Sequence, residues 1–267
     1  MEQRYKFVIA VIVAIMAIVV VIPKRDKDFG SLNVQRAEKL AEDVFPFIAL
    51  IEGDKGCNGA YYCGARWTVQ YGVTVKPDGS LVRKGTKVSN EDAKRWCIYH
   101  IKKRVTPFFE HFDKRKLTDN EILMAMLFIY NVGGEAVTGY DLLGNKRSEP
   151  CRFFHALNDG KNIEYVANCM TGFRKSAGRR ANGLLKRHWV AGAVGMGILT
   201  EDNVKDLKPC QFYVTKNLGN YYWLDQKRNP IRKKDLFQLR YDDITINCFF
   251  NMNEAKDGEK ALRDIIP

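Results

Sequence analysis

Three side chains that could share acid and base chemistry lie close together in one glycine-rich segment of the sequence. They are a carboxylic acid at Glu52, a thiol at Cys63 and an alcohol at Thr68. A carboxylic acid can give a proton to a leaving oxygen, a thiolate can face a positive charge, and an alcohol can hold a water molecule. The other nearby acid, Asp54, is expected in a turn and is a poorer second carboxylate.

A helix and a hairpin are expected to position these groups. Apolar residues recur at helical spacing up to Glu52, which predicts that this acid ends a helix. Glycines then mark turns, and the alternation over residues 67–71 predicts a half-buried strand. Asp78 and Gly79 form a hairpin turn signal further on. On its own, without the sequence motif that follows it, Glu52 would be interpreted as an exposed carboxylate at a helix end.

The matching runs in this segment are Glu52-Gly53, Ala60–Cys63, Trp67-Thr68 and Tyr71–Thr74. In these runs the chain resembles the phage-type lysozymes, the endolysin group of glycoside hydrolase family 24. The catalytic set of that family is a Glu, an Asp or Cys, and a Thr, which the resemblance carries over to Glu52, Cys63 and Thr68.

The spacing of the catalytic set departs from that of the family. Ten residues separate Glu52 from Cys63, and four separate Cys63 from Thr68. Counted back from Thr68, the family spacing falls on Tyr62, so Tyr62 is also expected near the substrate. Val73 stands where the family commonly has a histidine.

Two later motifs extend the resemblance over residues 36–199. The run Tyr130–Gly134 resembles the family's Phe-Asn-Val-Gly turn, and Gly183–His188 resembles its Gly-Leu-x-x-Arg-Arg. Asn131 is either a helix C-cap or a substrate-facing side chain. For Arg187, an ion pair or a helix-surface position is favoured over a sugar contact. The resemblance implies an α+β, lysozyme-like fold with a small β-hairpin lobe and a larger helical lobe.

The activity that the resemblance implies is cleavage of the β-1,4 bond between N-acetylmuramic acid and N-acetylglucosamine in peptidoglycan by water. Glu52 is then the general acid, provided that a partly apolar setting beside Tyr61, Tyr62 or Trp67 keeps it protonated. Thr68 would hold the attacking water, or it is simply a β-branched strand residue.

Cys63 would take the second catalytic role as a thiolate. An ordinary thiol, with a pKa of about 8.5, is mostly protonated at neutral pH. The thiolate therefore needs a positive neighbour, which Arg66 or Lys55 could supply. Alternatively, Cys63 pairs with Cys57, as a staple or as a redox switch, or it is an inert buried cysteine. Setting Cys63 aside, the other six of the seven cysteines are enough for three bridges.

The amino terminus predicts a membrane anchor over residues 1–30. The sixteen residues Phe7–Ile22 carry no charge and form about 24 Å of helix, slightly less than the roughly 30 Å hydrocarbon core. A buried core helix is the alternative. The basic residues after Pro23 outnumber those before Phe7, which favours an inside location for the rest of the chain. The resemblance implies the periplasmic or outer side, where the wall lies.

Local signals predict several element boundaries. Ser31 or Asn33 could cap the first helix, which runs towards Val44, and Pro46 is expected to kink it or to start a new turn. Capping signals also begin at Ser89 and Thr118.

Beyond a lysozyme-like domain at residues 31–200, residues 201–267 are predicted to form a small β-rich extension. Three runs in it have strand-like composition: Gln211–Thr215, Tyr221–Leu224 and Ile244–Phe250. The extension either binds the wall or only packs on the domain.

Charge and composition limit the possible partners. The net charge of +12 suggests an anionic partner, such as wall polymer, an anionic membrane or nucleic acid. Neither helix-turn-helix nor zinc-finger spacing occurs, so no nucleic acid is expected, and neither a metal nor an organic cofactor is implied. A catalytically lapsed peptidoglycan-binding protein on the same scaffold is the main alternative, and a nucleic-acid binder at the membrane is a weaker one.

Overall fold

The computed structural model describes residues 28–52, 59–63, 66–173, 175–176, 179–180 and 182–205, and three strands within 213–249. The first helix, α1, spans Phe29–Lys39, and the second, α2, spans Phe45–Glu52. Asp28 caps α1 by accepting a hydrogen bond from the Ser31 N–H at 3.0 Å. The cap prediction was therefore wrong, whereas Pro46 does lie at the start of a new helix. Glu52 ends α2, as the apolar spacing predicts.

Asn33, the other predicted cap, is completely buried in the core. Its amide nitrogen donates to the Phe112 and Arg115 carbonyls at 2.7 and 2.9 Å, and its oxygen accepts from the Leu117 N–H at 3.0 Å. The side chain therefore stabilises a long-range junction, because it satisfies three backbone groups of a loop that would otherwise be buried without partners.

The small lobe is built on the antiparallel strands β1 (Tyr61–Cys63) and β2 (Arg66–Thr68), with Tyr61 opposite Thr68. The predicted strand stops early, since Gln70–Gly72 forms a single 3-10 turn. Further on, Val75 pairs with Leu81 around the predicted Asp78-Gly79 turn.

The helical lobe contains most of the chain. Its main helices begin at the predicted caps: α3 (Asn90–Arg104) follows Ser89, and α4 (Asp119–Val132) follows Thr118 in a complete capping box. The remaining helices are α5 (Gly134–Thr138), α6 (Arg152–Asn158), α7 (Ile163–Cys169), α8 (Asn182–Gly195) and α9 (Glu201–Val204). Short 3-10 turns cover Thr106–His111 and Met170–Gly172, and a two-residue hairpin pairs β3 (Lys175–Ser176) with β4 (Arg179–Arg180).

The core is organised around α4, in which every residue from Ile122 to Ile129 is buried. Helix α8 packs along it with Trp189 completely buried. Gly195 permits this close approach, because a Cβ there would lie 2.5 Å from the Met124 sulfur. A helix that is apolar on all sides belongs in the centre of a domain. The packing of α8 on α4 thereby fixes the position of the basic motif on α8.

The carboxyl-terminal region contains an antiparallel sheet of three strands in the order β5 (Tyr213–Lys216), β7 (Ile244–Phe249) and β6 (Leu239–Tyr241). Two of the three predicted runs thus contain strands, and Tyr221–Leu224 lies outside the described residues. Among the described residues, no helix has the length and apolar character needed to cross a membrane. The predicted anchor at Phe7–Ile22 lies outside them.

Candidate active site

Glu52 meets Arg187 where the end of α2 approaches α8. The guanidinium donates from Nε to Oε1 and from Nη2 to Oε2, both at 2.9 Å. A two-point contact of this kind fixes the plane of the carboxylate as well as its position. The structure thus places a cation on the acid, where the sequence suggested an aromatic setting. Of the alternatives for Arg187, the structure shows the ion pair.

The turn after β2 lies against the same carboxylate. A Cβ built on Gly72 would be 3.8 Å from Glu52 Cδ and 3.8 Å from the Tyr130 hydroxyl. Gly72 has a φ of 80°, a conformation that glycine adopts without steric cost. The backbone of the small lobe therefore forms one wall of the site, next to the acid.

The other two members of the predicted catalytic set lie on the hairpin. Thr68 is buried at the end of β2, and its hydroxyl is 3.4 Å from the Arg66 carbonyl, a long contact. The backbone of Cys63 pairs with that of Arg66 across the hairpin. This register places a basic residue opposite the cysteine. The Cys63 side chain, Cys57 and Lys55 lie outside the described parts of the chain.

Tyr62 lies on the exposed face of the hairpin, with 64% of its surface accessible. Its ring packs edge-on against the opposite residue, Trp67, with centroids 5.4 Å apart. Aromatic rings that remain exposed beside a polar site are suited to contact the apolar faces of a bound molecule.

Asn131 lies in the last turn of α4, ahead of the true C-cap at Gly133. Its amide nitrogen donates to the Leu127 carbonyl one turn earlier, at 2.8 Å. The amide nitrogen is thus engaged by its own helix, while the side chain remains partly exposed.

A groove opens on the other side of Tyr130. It consists of a cavity of about 490 Å³ and an adjoining one of about 240 Å³, which share His100, Arg104 and Leu142. Three of the exposed large apolar side chains of the described chain line it, namely Tyr99, Leu142 and Leu143. Burial, and then the neighbouring Arg104, lower the pKa of His100 to about 4, so this ring is neutral at pH 7. The groove therefore combines apolar surface with charged side chains of both signs, because Glu135 and Asp141 also line it.

Sequence reasoning missed the part of the site formed by Tyr71, Gly72 and Tyr130. One signal could have indicated it, because Tyr130 stands where the resembling motif has a phenylalanine, and so it adds a hydroxyl at a helix end. Within the described residues, no cluster of three or more His, Cys, Asp or Glu side chains could hold a metal ion.

The described cysteines do not support an arrangement of three bridges. Cys97, Cys151 and Cys169 are free thiols. Cys97 is completely enclosed by the core, and its sulfur lies 3.6 Å from the Tyr130 hydroxyl. Burial raises the pKa of Cys97 to about 12, although the hydrogen bond with Tyr130 opposes the shift. Its thiol therefore stays protonated at physiological pH.

The sequence profile of the family described as phage lysozyme matches residues 54–189, just over half of the chain. The match begins two residues after Glu52. The comparison with curated proteins gave no match.

The solved structures that are similar to the chain include two phage endolysins and a muramidase domain. The endolysin from Escherichia coli O157:H7 phage FAHEc1 is 20% identical with a TM-score of 0.47, and the match covers 62% of this chain and 93% of that one. The active form of P1 phage endolysin Lyz is 17% identical with a TM-score of 0.45, covering 72% and 95%. The muramidase domain of SpmX from Asticaccaulis excentricus is 19% identical with a TM-score of 0.41, covering 56% and 92%.

Proposed function

The chain belongs to the phage lysozyme family, and from that premise we propose that it hydrolyses the β-1,4 bond between N-acetylmuramic acid and N-acetylglucosamine in peptidoglycan. Membership in the family supports peptidoglycan hydrolysis as the general activity. The observation that carries the finer proposal is the position of Glu52, held by Arg187 from the helical lobe and bordered by Gly72 of the small lobe. An acid at such a junction can reach a polymer lying between the lobes.

Glu52 is the proposed general acid, which protonates the leaving glycosidic oxygen. In the structure both carboxylate oxygens accept hydrogen bonds from Arg187. A protonated carboxyl group has one oxygen that accepts and one that donates. The proton-carrying state therefore keeps Arg187 on a single oxygen and turns the other towards the sugar. In this scheme Arg187 orients the acid throughout the reaction.

Water completes the reaction from the side of the hairpin. Its oxygen bonds to the anomeric carbon as the bond to the leaving sugar breaks, and its proton passes to the second group. We assign that group to Cys63 as a thiolate, with Arg66 across the strand pair as the supporting charge. The Thr68 hydroxyl makes a long contact with the Arg66 carbonyl, and it is assigned to hold the water.

The groove and the exposed aromatic residue are assigned to the glycan. Tyr62 and the groove beside Tyr130 offer apolar faces, and Lys103 and Arg104 provide positive charge near the groove. Sugar rings pack their C–H faces on such surfaces, and the stem peptides of peptidoglycan carry carboxylates. Asn131 is assigned a place at the edge of this surface through its exposed part.

The location of the activity is a separate proposal. Residues 7–22 are proposed to anchor the chain in the inner membrane, with the catalytic domain on the periplasmic or outer side. A membrane-impermeant thiol reagent should then label the chain beyond Pro23 in intact cells. Labelling that appears only after lysis would place the domain on the inner side and overturn this proposal.

The catalytic assignment is tested with two glutamate variants that have the same side-chain chemistry. Glu52 and Glu121 are each paired with an arginine, and each side chain is 13% exposed. Glu52→Gln is expected to lower release of reducing sugar from purified walls by about 10² to 10⁴-fold, the range for a lost general acid. Glu121→Gln should retain activity at 25 °C. Wall binding without turnover by the wild type would favour the lapsed binder instead.

A further inference from the structure

The hydroxyl of Tyr130 belongs to a chain of hydrogen bonds that connects the two lobes. Tyr130 lies in the last full turn of α4, and its hydroxyl donates to the backbone carbonyl of Tyr71. The Cys97 sulfur is 3.6 Å from the same hydroxyl oxygen. A phenol has one hydrogen, and a carbonyl can only accept. The Cys97 thiol must therefore be the donor to Tyr130, so the sequence of bonds runs from thiol to phenol to carbonyl.

The backbone that receives this hydrogen bond adopts a strained conformation. Tyr71 has φ 61° and ψ 18°, and it is the one non-glycine residue with a positive φ among the described residues. A bulky residue in the left-handed region costs energy and persists where its surroundings hold it. Gly72 follows with a second positive φ. The hydrogen bond from Tyr130 is thus made to the segment that most needs an external restraint.

The restrained turn touches the acid. The Cβ position of Gly72 is 3.8 Å from both Glu52 Cδ and the Tyr130 hydroxyl, so this glycine lies between the two groups. Burial raises the pKa of Tyr130, and the neighbouring Cys97 and the charge of Glu52 add to the shift. Tyr130 therefore remains a protonated donor, and it does not compete with Glu52 as an acid.

We propose that Tyr130 is a positioning residue, which holds the Tyr71-Gly72 turn against Glu52 and so sets the distance between the acid and the small lobe. This role rests on the proposed function, since it matters for turnover only if Glu52 is the acid. Cys97 supports Tyr130 by donating a hydrogen bond to its phenolic oxygen. The buried thiol thereby gains a structural role that needs neither a disulfide nor a metal.

The test compares Tyr130→Phe with Tyr165→Phe in the full chain. Both substitutions remove one phenolic oxygen, but Tyr165 is half-exposed on α7. Tyr130→Phe should lower kcat about tenfold at nearly constant KM, the factor expected for losing one well-placed hydrogen bond of roughly 1.4 kcal/mol. Tyr165→Phe should leave both constants unchanged. Cys97→Ala should give a smaller effect of the same kind, about threefold, because a thiol is a weak donor.

A second measurement does not depend on turnover. Amide hydrogen exchange over residues 66–76 should be about tenfold faster in Tyr130→Phe, because the local opening energy drops by the same hydrogen bond. Exchange over residues 122–129 should not change, which confirms that the variant is folded. Faster exchange together with lower kcat supports the proposal.

Each other outcome has a definite meaning. Unchanged exchange shows that the turn is not held by Tyr130, and faster exchange with wild-type kcat shows that holding it does not position the acid; either result overturns the proposal. If the wild type does not cleave any wall preparation, the proposed function fails, and the positioning role fails with it. The two failures can be told apart, because the proposed function is tested by the wild type alone and the positioning role by the difference between wild type and variants.

Discussion

The two ends of α4 use the same ion-pair chemistry for different purposes. At the amino end, Arg115 binds Glu121 at 2.6 and 3.1 Å, and near the carboxyl end Arg187 binds Glu52 at 2.9 Å on both oxygens. The side-chain exposures are almost equal, 28% and 13% for the first pair and 31% and 13% for the second. Burial therefore does not distinguish them.

What differs is how completely each carboxylate is used. Glu121 also accepts from the Thr118 N–H at 2.7 Å in the capping box, and Arg115 also donates to the Leu157 carbonyl at 3.0 Å. Burial opposes the charge of Glu121, but the hydrogen bonds from Arg115 and Thr118 outweigh it and lower its pKa. Among the described residues, Glu52 accepts hydrogen bonds from Arg187 alone.

This contrast shows how a structural carboxylate can be told from a candidate catalytic one. Glu121 accepts three hydrogen bonds from local partners and so keeps less acceptor capacity than Glu52, which accepts two. Glu52 keeps lone pairs available, and it borders the left-handed turn at Tyr71 and Gly72. Spare hydrogen-bonding capacity beside a strained backbone is a frequent property of functional sites.

Removing each arginine in turn is the strongest test of whether the two ion pairs differ in role. Arg187→Gln should lower kcat by about ten- to a hundredfold, because Glu52 is no longer held in its orientation. The free energy of unfolding in urea should change by less than about 1 kcal/mol, because the ion pair is partly exposed. Arg115→Gln should do the reverse, with kcat at 25 °C retained and stability lower by about 1–2 kcal/mol. If both variants behave alike, the two ends do not differ in role.

Sequence reasoning succeeded where the cause is local. The capping box at Thr118, the turn at Asp78-Gly79 and the helix end at Glu52 all depend on residues a few positions apart. Such signals act on the backbone within one turn, so the sequence contains the whole cause.

The predictions from sequence were wrong where a residue far along the chain determines the local structure. Asn33 has the composition of a cap, but a loop about eighty residues later captures its amide in the core. The strand pattern through Tyr71 ends in a 3-10 turn, at which the Tyr71 carbonyl accepts a hydrogen bond from Tyr130 of the other lobe. The partner of Glu52 lies 135 residues away, and no local pattern reveals it.

A pH measurement extends the comparison to α8, the helix that carries Arg187. The residue that follows Arg187, His188, is completely buried beside Phe128, and neither of its ring nitrogens has a hydrogen-bond partner among the described residues. Burial, and then the charge of Arg187, lower the pKa of His188 to about 3. The unfolded chain binds this proton near pH 6.5, so the stability from the neutral ring is complete above about pH 6.5 and is lost as the pH falls towards 3.

Urea unfolding at pH 7 and pH 5 measures this loss. Each such histidine should cost up to about 1.4 kcal/mol per pH unit over that window. His100 contributes with the same sign, and so does the less buried His111, whose pKa burial also lowers. His188→Leu should therefore remove between about a third and a half of the histidine-dependent decrease. An unchanged difference between the two pH values would show that His188 is not buried as a neutral ring.

A smaller effect is expected from the cap itself. Thr118→Ala removes the side chain that accepts from the Glu121 N–H, and it should lower the unfolding free energy by about 1 kcal/mol. Turnover at 25 °C should stay at the wild-type level, because Thr118 is at the amino end of α4 and Glu52 lies near its carboxyl end. Thr118→Ser keeps the hydroxyl and should recover most of the stability. If Thr118→Ala is fully folded but has lost turnover, the amino end of α4 is not purely structural, and the proposed difference between the two ends is wrong.

The smallest effect is expected at the carboxyl end, from Asn131→Ala. The substitution removes the hydrogen bond to the Leu127 carbonyl, worth roughly 0.5–1 kcal/mol, but alanine gains a similar amount, about 0.6 kcal/mol, in helix propensity. Stability should therefore change by less than about 0.5 kcal/mol. Activity on walls tests the substrate-facing role of Asn131, since the C-cap of α4 is Gly133. Because its amide nitrogen is already engaged within α4, we expect turnover within about threefold of wild type; a larger decrease at unchanged stability would show that the side chain faces the substrate.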